Sequence, residues 1–201
     1  MSSSRSRIAL WLTSAILCAA PTLGAQSVKA SGLSPKAKAQ IDSVRQAVAQ
    51  YADPRVAEDS GYEPVFGMIP LQGVHYVRPD LIKGGQFDLT KPPVLMYAPV
   101  KGEPKLVGVA YAYQHPRNEP PPEGFDGRTD DWHSHDELSR DPDKHIVMVH
   151  LWLMDAPGGP FARYNPYLPY MGGAVFAGLL WIPNVFTPFE HWLDPVMGMP
   201  R

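Results

Sequence analysis

A chain of 201 residues with 18 basic and 20 acidic side chains lacks the basic footprint of a nucleic-acid binder. One cysteine in the whole chain excludes an internal disulfide and a multi-thiolate metal site. The length suits one domain with a sizeable core, and the 23 prolines, clustered at 92–93, 116–122 and 157–169, predict turns and long connections between its elements.

Residues 1–25 carry Arg5 and Arg7, then the apolar run 8–20, then Pro21-Thr22-Leu23-Gly24-Ala25. That order of basic, apolar and small-residue regions predicts a secretory signal peptide cut after Ala25. The run is too short and wrongly flanked for a membrane span, and Leu17 is too large a neighbour for lipid attachment at Cys18. Cleavage would remove two basic residues and no acidic one, leaving a mildly acidic, cysteine-free chain that is exported, periplasmic or secreted. Residues 26–32 are small and polar and read as a disordered leader to a single domain over 33–169.

Ser34 as cap, Pro35 at the first helical position, and Ile41, Val44, Val48 and Tyr51 at three- and four-residue spacing predict a helix over 35–51. Asp53-Pro54 repeats the cap-and-proline start for a short second helix through Glu58. From Gly61 the period changes. Residues 74–77, 94–98, 106–113 and 145–154 are β-branched and aromatic runs bounded by Pro, Gly and Asp, and Lys101-Gly102-Glu103 suits a hairpin turn. The expected fold is α+β: N-terminal helices packed on an antiparallel β-sheet or partly open barrel, with Pro-rich connections.

Histidine marks the candidate site. Four of the seven fall in the short stretch from Trp132-His133-Ser134-His135 to His150. Strand alternation puts His150 on one face with Ile146, Met148 and Trp152, and His145 on the other. In extended backbone His133 and His135 share a face. With His150 or His75 they would form a three-histidine site for a divalent metal, zinc or another transition metal, with a position left open. Asp136 and Glu137 are nearby oxygen donors or acid/base candidates, and Trp132 and Trp152 are candidate pocket aromatics. His115 and His191 have no partner visible in the sequence. Ser134 lacks nucleophile-elbow glycines, and no phosphate-cradling loop or dinucleotide fingerprint is present. Set against the metal reading, a histidine on an apolar strand face is commonly a hydrogen-bonded core residue, and 128–144 is acidic enough to be a solvated loop.

Residues 170–201 form an apolar C-terminal extension with no charge before Glu190. Pro183 and Pro188 break it too early for a span, so it reads as a buried helix or a contact between copies in a homo-oligomer.

Several blocks in order resemble a family of uncharacterised secreted bacterial proteins. They are Gly61-Tyr62-Glu63-Pro64, Gly73-Val74-His75-Tyr76-Val77-Arg78-Pro79, Pro93-Val94-Leu95-Met96-Tyr97, and His150-Leu151-Trp152 followed by Pro157, Gly159, Phe161-Ala162 and Asn165-Pro166. The resemblance covers about 53–166 and departs from the family pattern at Gln72, Arg78 and Ala156. It carries over His75, His145, His150 and Trp152 and brings no established activity; the segment Trp132-His133-Ser134-His135 stands on its chemistry alone. Two readings remain at this stage. One is a metal-binding protein or metal-dependent enzyme; the other is a non-catalytic envelope or assembly module whose His and Trp residues are structural.

Overall fold

The computed structural model describes residues 32–127 and 130–171. The expected signal peptide, nearly all of the disordered leader and the apolar extension beyond Met171 lie outside the described residues.

Helix α1, Pro35–Val48, starts where Ser34 accepts a hydrogen bond from the Ala37 amide at 3.0 Å, and Ala37, Ile41, Val44 and Val48 form its buried stripe. The predicted helix is regular only to Val48. Ala49–Ala52 tighten into a 3₁₀ turn in which Tyr51 leaves helical geometry, and the Tyr51 carbonyl accepts from the Tyr97 hydroxyl at 2.6 Å instead of continuing a helical ladder. Helix α2, Pro54–Asp59, begins at the Asp53 cap as expected.

Six strands follow: β1 Glu63–Ile69, β2 Gly73–Val77, β3 Val94–Val100, β4 Glu103–Pro116, β5 His133–His135 and β6 Lys144–Trp152. Short helices α3, Pro79–Gly84, and α4, Leu168–Met171, complete the described elements. The strands form one open antiparallel sheet in the order β1-β2-β3-β4-β6-β5. The fold is α+β, as expected, on an antiparallel sheet that does not close. Lys101 and Gly102 make the two-residue turn between β3 and β4 with φ of 54° and 87°, the positive values this hairpin geometry demands.

Two apolar layers flank the sheet. On one face Ile41, Val44 and Val48 of α1 pack with Leu95, Val109, Tyr111, Val149 and Leu151. The other face carries Val65, Val77, Met96, Ala110, Ala112, Met148 and Trp152, with Leu168 of α4 over it. Its central positions on β4 are small. Gly108, Ala110 and Ala112 leave room above that strand into which longer side chains from its neighbours lean.

Strand β2 is held close to β3 by Gly73. Its φ of 88° lies in the left-handed region, and an added Cβ would collide with the Tyr97 carbonyl oxygen, a backbone atom that cannot swing away. Gly73→Ala is expected to lower unfolding free energy by about 3 kcal/mol, combining left-handed strain with overpacking. Lys101→Asn, at a turn position that favours asparagine, should be neutral or slightly stabilising. Urea unfolding of both variants checks the pair.

Candidate functional site

Strand β6 places His150 on the face of the small β4 residues, beside Met148 and Trp152. Strand β5 pairs His133 with Met148 and His135 with Ile146, so both imidazoles stand on that same face. From β2, His75 reaches the cluster although β3 and β4 lie between β2 and β6. Three strand spacings amount to about 14 Å, yet the His75 and His150 ring centroids are 6.1 Å apart. The small β4 side chains let both rings lean across. His133 stands 5.1 Å from His150 and 5.0 Å from His135, centroid to centroid.

The hydrogen bonds fix the tautomers. His150 Nδ1–H donates to the Arg163 carbonyl at 2.9 Å, and His133 Nδ1–H donates to the Asp131 carbonyl at 3.1 Å. A carbonyl can only accept, so in each neutral ring Nε2 carries the lone pair. His135 Nδ1 donates to Glu137 Oε1 at 2.7 Å, with the same consequence. The Nε2 atoms of His133 and His150 and Nδ1 of His75 are buried without a hydrogen-bond partner among the described residues. Each such orphan costs about 1–3 kcal/mol if it stays unmade.

Burial is the main force on the protonation of these rings. Desolvation lowers His75 to about 4, with the nearby Gly73 backbone opposing and His135 reinforcing the shift. His150 is pushed well below the ordinary histidine value by burial first and then by the neighbouring His75 and His133. His133 is lowered chiefly by burial as well. Partial burial pushes Glu137 upward, but its hydrogen bond to His135 and its own backbone contacts outweigh that, leaving a lowered carboxyl. Near neutral pH His75, His133 and His150 are therefore uncharged and Glu137 is ionised.

The other predicted residues separate from this group. Asp136 accepts from Arg117 Nη1 at 2.6 Å and lies 3.4 Å from His145 Nδ1, while His145 stacks on His115 with centroids 6.2 Å apart. The strand alternation that gathers His150 and His133 sends His145 to the opposite face. Trp132 packs against Phe87 and Tyr113 in the layer facing α1, and its indole N–H donates to Asp130. Trp152 is wholly buried and donates from Nε1 to the Ala162 carbonyl at 2.6 Å. Neither tryptophan lines the cavity beside the histidines.

That cavity, about 320 Å³, is bounded by His75 and His135 together with Phe66, Ile69, Met148, Arg163 and Tyr164. Arg163 carries no signature in the sequence, being one arginine in a proline-rich connection. Its role depends on a carbonyl and a guanidinium brought to β6 by the return of the chain. Among the described residues, no three of His, Cys, Asp or Glu have donor atoms arranged to hold a metal ion as the side chains stand.

The depressed histidines tie stability to pH with a definite sign. Above the ordinary value of 6.5, His75 is neutral folded or unfolded; between 6.5 and about 4 the unfolded chain takes up a proton that the folded chain refuses. Stability is therefore present above that window, falls through it, and stops falling from this source below it. His75 alone should account for about 3 kcal/mol of the loss. Denaturant unfolding at stepped pH should show the fall, and His75→Gln should flatten it.

Compared with family models, curated proteins and solved structures, the chain matches none, so the meaning of this site rests on its own geometry.

Proposed function

We propose that this is an exported protein, periplasmic or secreted, whose clustered His75, His133, His135 and His150 bind a divalent metal, zinc or another transition metal. The observation that carries the reading is the shared orientation of three rings: Nδ1 is anchored on a carbonyl or carboxylate and Nε2 is left with its lone pair. Outer hydrogen bonds of this kind orient histidine ligands at metal centres. Spacing supports it too. Imidazoles meeting at a tetrahedral zinc, with Zn–N near 2.0–2.1 Å, place their centroids roughly 5–5.5 Å apart. The observed separations are 5.0, 5.1 and 6.1 Å. They belong to the pairs His133–His135, His133–His150 and His75–His150, so the four rings stand in a row with His133 at ligand spacing from both of its neighbours. A metal held by three neutral imidazoles supplies Lewis-acid chemistry and retains an open position.

Export is supported by the order of residues 1–25, and the block resemblance makes membership of the uncharacterised secreted bacterial family part of the same proposal. Among the described residues no helix is long and apolar enough to cross a membrane. A second reading, the non-catalytic envelope or assembly module, draws support from Trp152 acting as a buried pin, and among the described residues no three donors surround a common centre. In it, residues 170–201 would join copies of the chain.

Titrating chelator-treated mature protein with zinc and cobalt should give one ion bound per chain, followed by calorimetry and cobalt absorption. His150→Ala and His133→Ala should weaken binding by at least about 100-fold. His115→Ala should leave it unchanged. Because His75, His133 and His150 resist protonation, binding should persist below the ordinary histidine range instead of collapsing near pH 6. No stoichiometric binding, or binding indifferent to His150→Ala, sinks the metal reading in favour of the module. Intact mass of the exported chain should show an N-terminus at Gln26 without lipid.

A further inference from the structure

The cavity at the edge of the histidine cluster has a chemistry of its own. On one side Phe66, Ile69, Leu138 and Met148 offer a continuous apolar wall, and His75 and His135 reach it from the cluster. Arg163 and the half-exposed Tyr164 stand on another side, the guanidinium carbon 5.8 Å from the Tyr164 ring centroid. Glu137, the carboxylate in the lining, is already taken by His135 Nδ1 at 2.7 Å. No carboxylate pairs with the exposed Arg163 guanidinium among the described residues, so at the edge of the apolar hollow it is accessible to an incoming anion.

Backbone geometry shows that the wall is built rather than left over. Where β1 pairs with β2 the register shifts between Val65 and Met68, and the bulge holds Phe66 at φ 64° and Gly67 at φ 57°. A bulky aromatic residue in the left-handed region costs roughly 1–2 kcal/mol. The bulge turns Phe66 towards the layer that carries the histidines. At about 320 Å³ the hollow is at the small end of ligand pockets.

We propose that this cavity binds a small organic monocarboxylate, its apolar body against Phe66, Ile69 and Met148 and its carboxylate on the Arg163 guanidinium. The fork of donors on arginine matches a carboxylate, and the low polarity of the wall selects against small inorganic anions. The inference goes beyond the metal reading and does not depend on it. It concerns the hollow next to the histidines, and a ligand there lies within reach of His75 and His135 whether or not an ion is bound.

Chelator-treated mature protein is titrated with phenylacetate and with its neutral isostere phenylacetamide near neutral pH, and methyl spectra of labelled methionine follow Met148, assigned through Met148→Leu. The expected result is one phenylacetate per chain, bound at least about tenfold more tightly than the amide, with a shift of the Met148 methyl. Arg163→Gln, an exposed substitution that leaves the Arg163 carbonyl in place, should erase the difference between acid and amide without altering amide binding. Acid and amide binding alike, acid binding untouched by Arg163→Gln, no binding of either, or binding without a Met148 shift each overturns the proposal. Since the ion is removed beforehand, failure here leaves the metal reading standing. Loss of zinc binding in the earlier titration likewise leaves this one standing.

Discussion

Two hydrogen bonds from β6 to consecutive carbonyls hold the site in place. His150 Nδ1 donates to the Arg163 carbonyl and Trp152 Nε1 to the Ala162 carbonyl. The donors are two residues apart on one strand face, and the acceptors are neighbours on the chain that returns over it. The Trp152 amide adds a third bond to the Pro160 carbonyl at 2.7 Å, and Gln72 Nε2 donates to the same Arg163 carbonyl. Phe161, between these acceptors, packs into the opposite layer against Phe125 with centroids 4.7 Å apart. The connection is thus fastened to both layers at once. The His-x-Trp pattern followed by Phe-Ala and Asn-Pro has a physical reading in these terms. Histidine and tryptophan are the pins, and fully buried Asn165 closes the segment by donating to the Asp155 carbonyl and accepting from the Tyr167 amide.

Period-two alternation explains why the histidines divide into two groups and not one. Along β6, His150 lies an odd number of positions after His145, so a regular strand must send them to opposite faces. His145 then meets His115, its direct cross-strand partner on β4, and Asp136 with Arg117. This second group is polar and lies at the far end of the strand. In the first group burial lowers His75, His133 and His150, and Glu137 pairs with His135; in the second Asp136 stands beside His145 and pairs with Arg117. Histidine count alone would have merged two groups that lie on opposite faces of the sheet.

What was legible in the sequence follows the same rule. The faces of β6, the shared face of His133 and His135, the Ser34 and Asp53 caps and the Lys101-Gly102 turn are local consequences of period, cap chemistry and φ preference, and each is present. Strand β1 was not legible. Phe66 and Gly67 form a bulge there, and the burial along Glu63–Ile69 loses its alternation. The end of α1 was hidden because Tyr51 continues the apolar spacing while its carbonyl is captured by the Tyr97 hydroxyl from a distant strand. Asp136 and Glu137 look equivalent in sequence, yet the 3₁₀ turn Asp136–Leu138 directs one to His145 and the other to His135. Trp132 went to the layer facing α1 for a similarly non-local reason: Gly124 and Asp130 of the preceding connection receive its indole.

Neutrality of the buried imidazoles links stability to chemistry. A cluster that must stay uncharged keeps its lone pairs available over a wide pH range, because the desolvation that disfavours the proton leaves the nitrogen free for another electrophile. In this cluster the ring nitrogens His75 Nδ1, His133 Nε2 and His150 Nε2 have no partner among the described residues, a cost set against the packing of Met96, Met148 and Trp152 in the same layer. A core histidine serving structure alone would be expected to satisfy both of its nitrogens, as buried polar atoms generally do. Here the satisfied nitrogen of His133 and of His150 faces backbone, and the unsatisfied one is the atom that a ligand would need. The strained β1 bulge and the exposed Arg163 guanidinium lie on the rim of the same hollow. The strained bulge and the orphaned nitrogens of His75, His133 and His150 thus meet near one cavity, whereas on the helix-facing side Tyr113 Oη and His145 Nε2 are orphaned among the described residues with no such hollow between strained backbone and imidazoles.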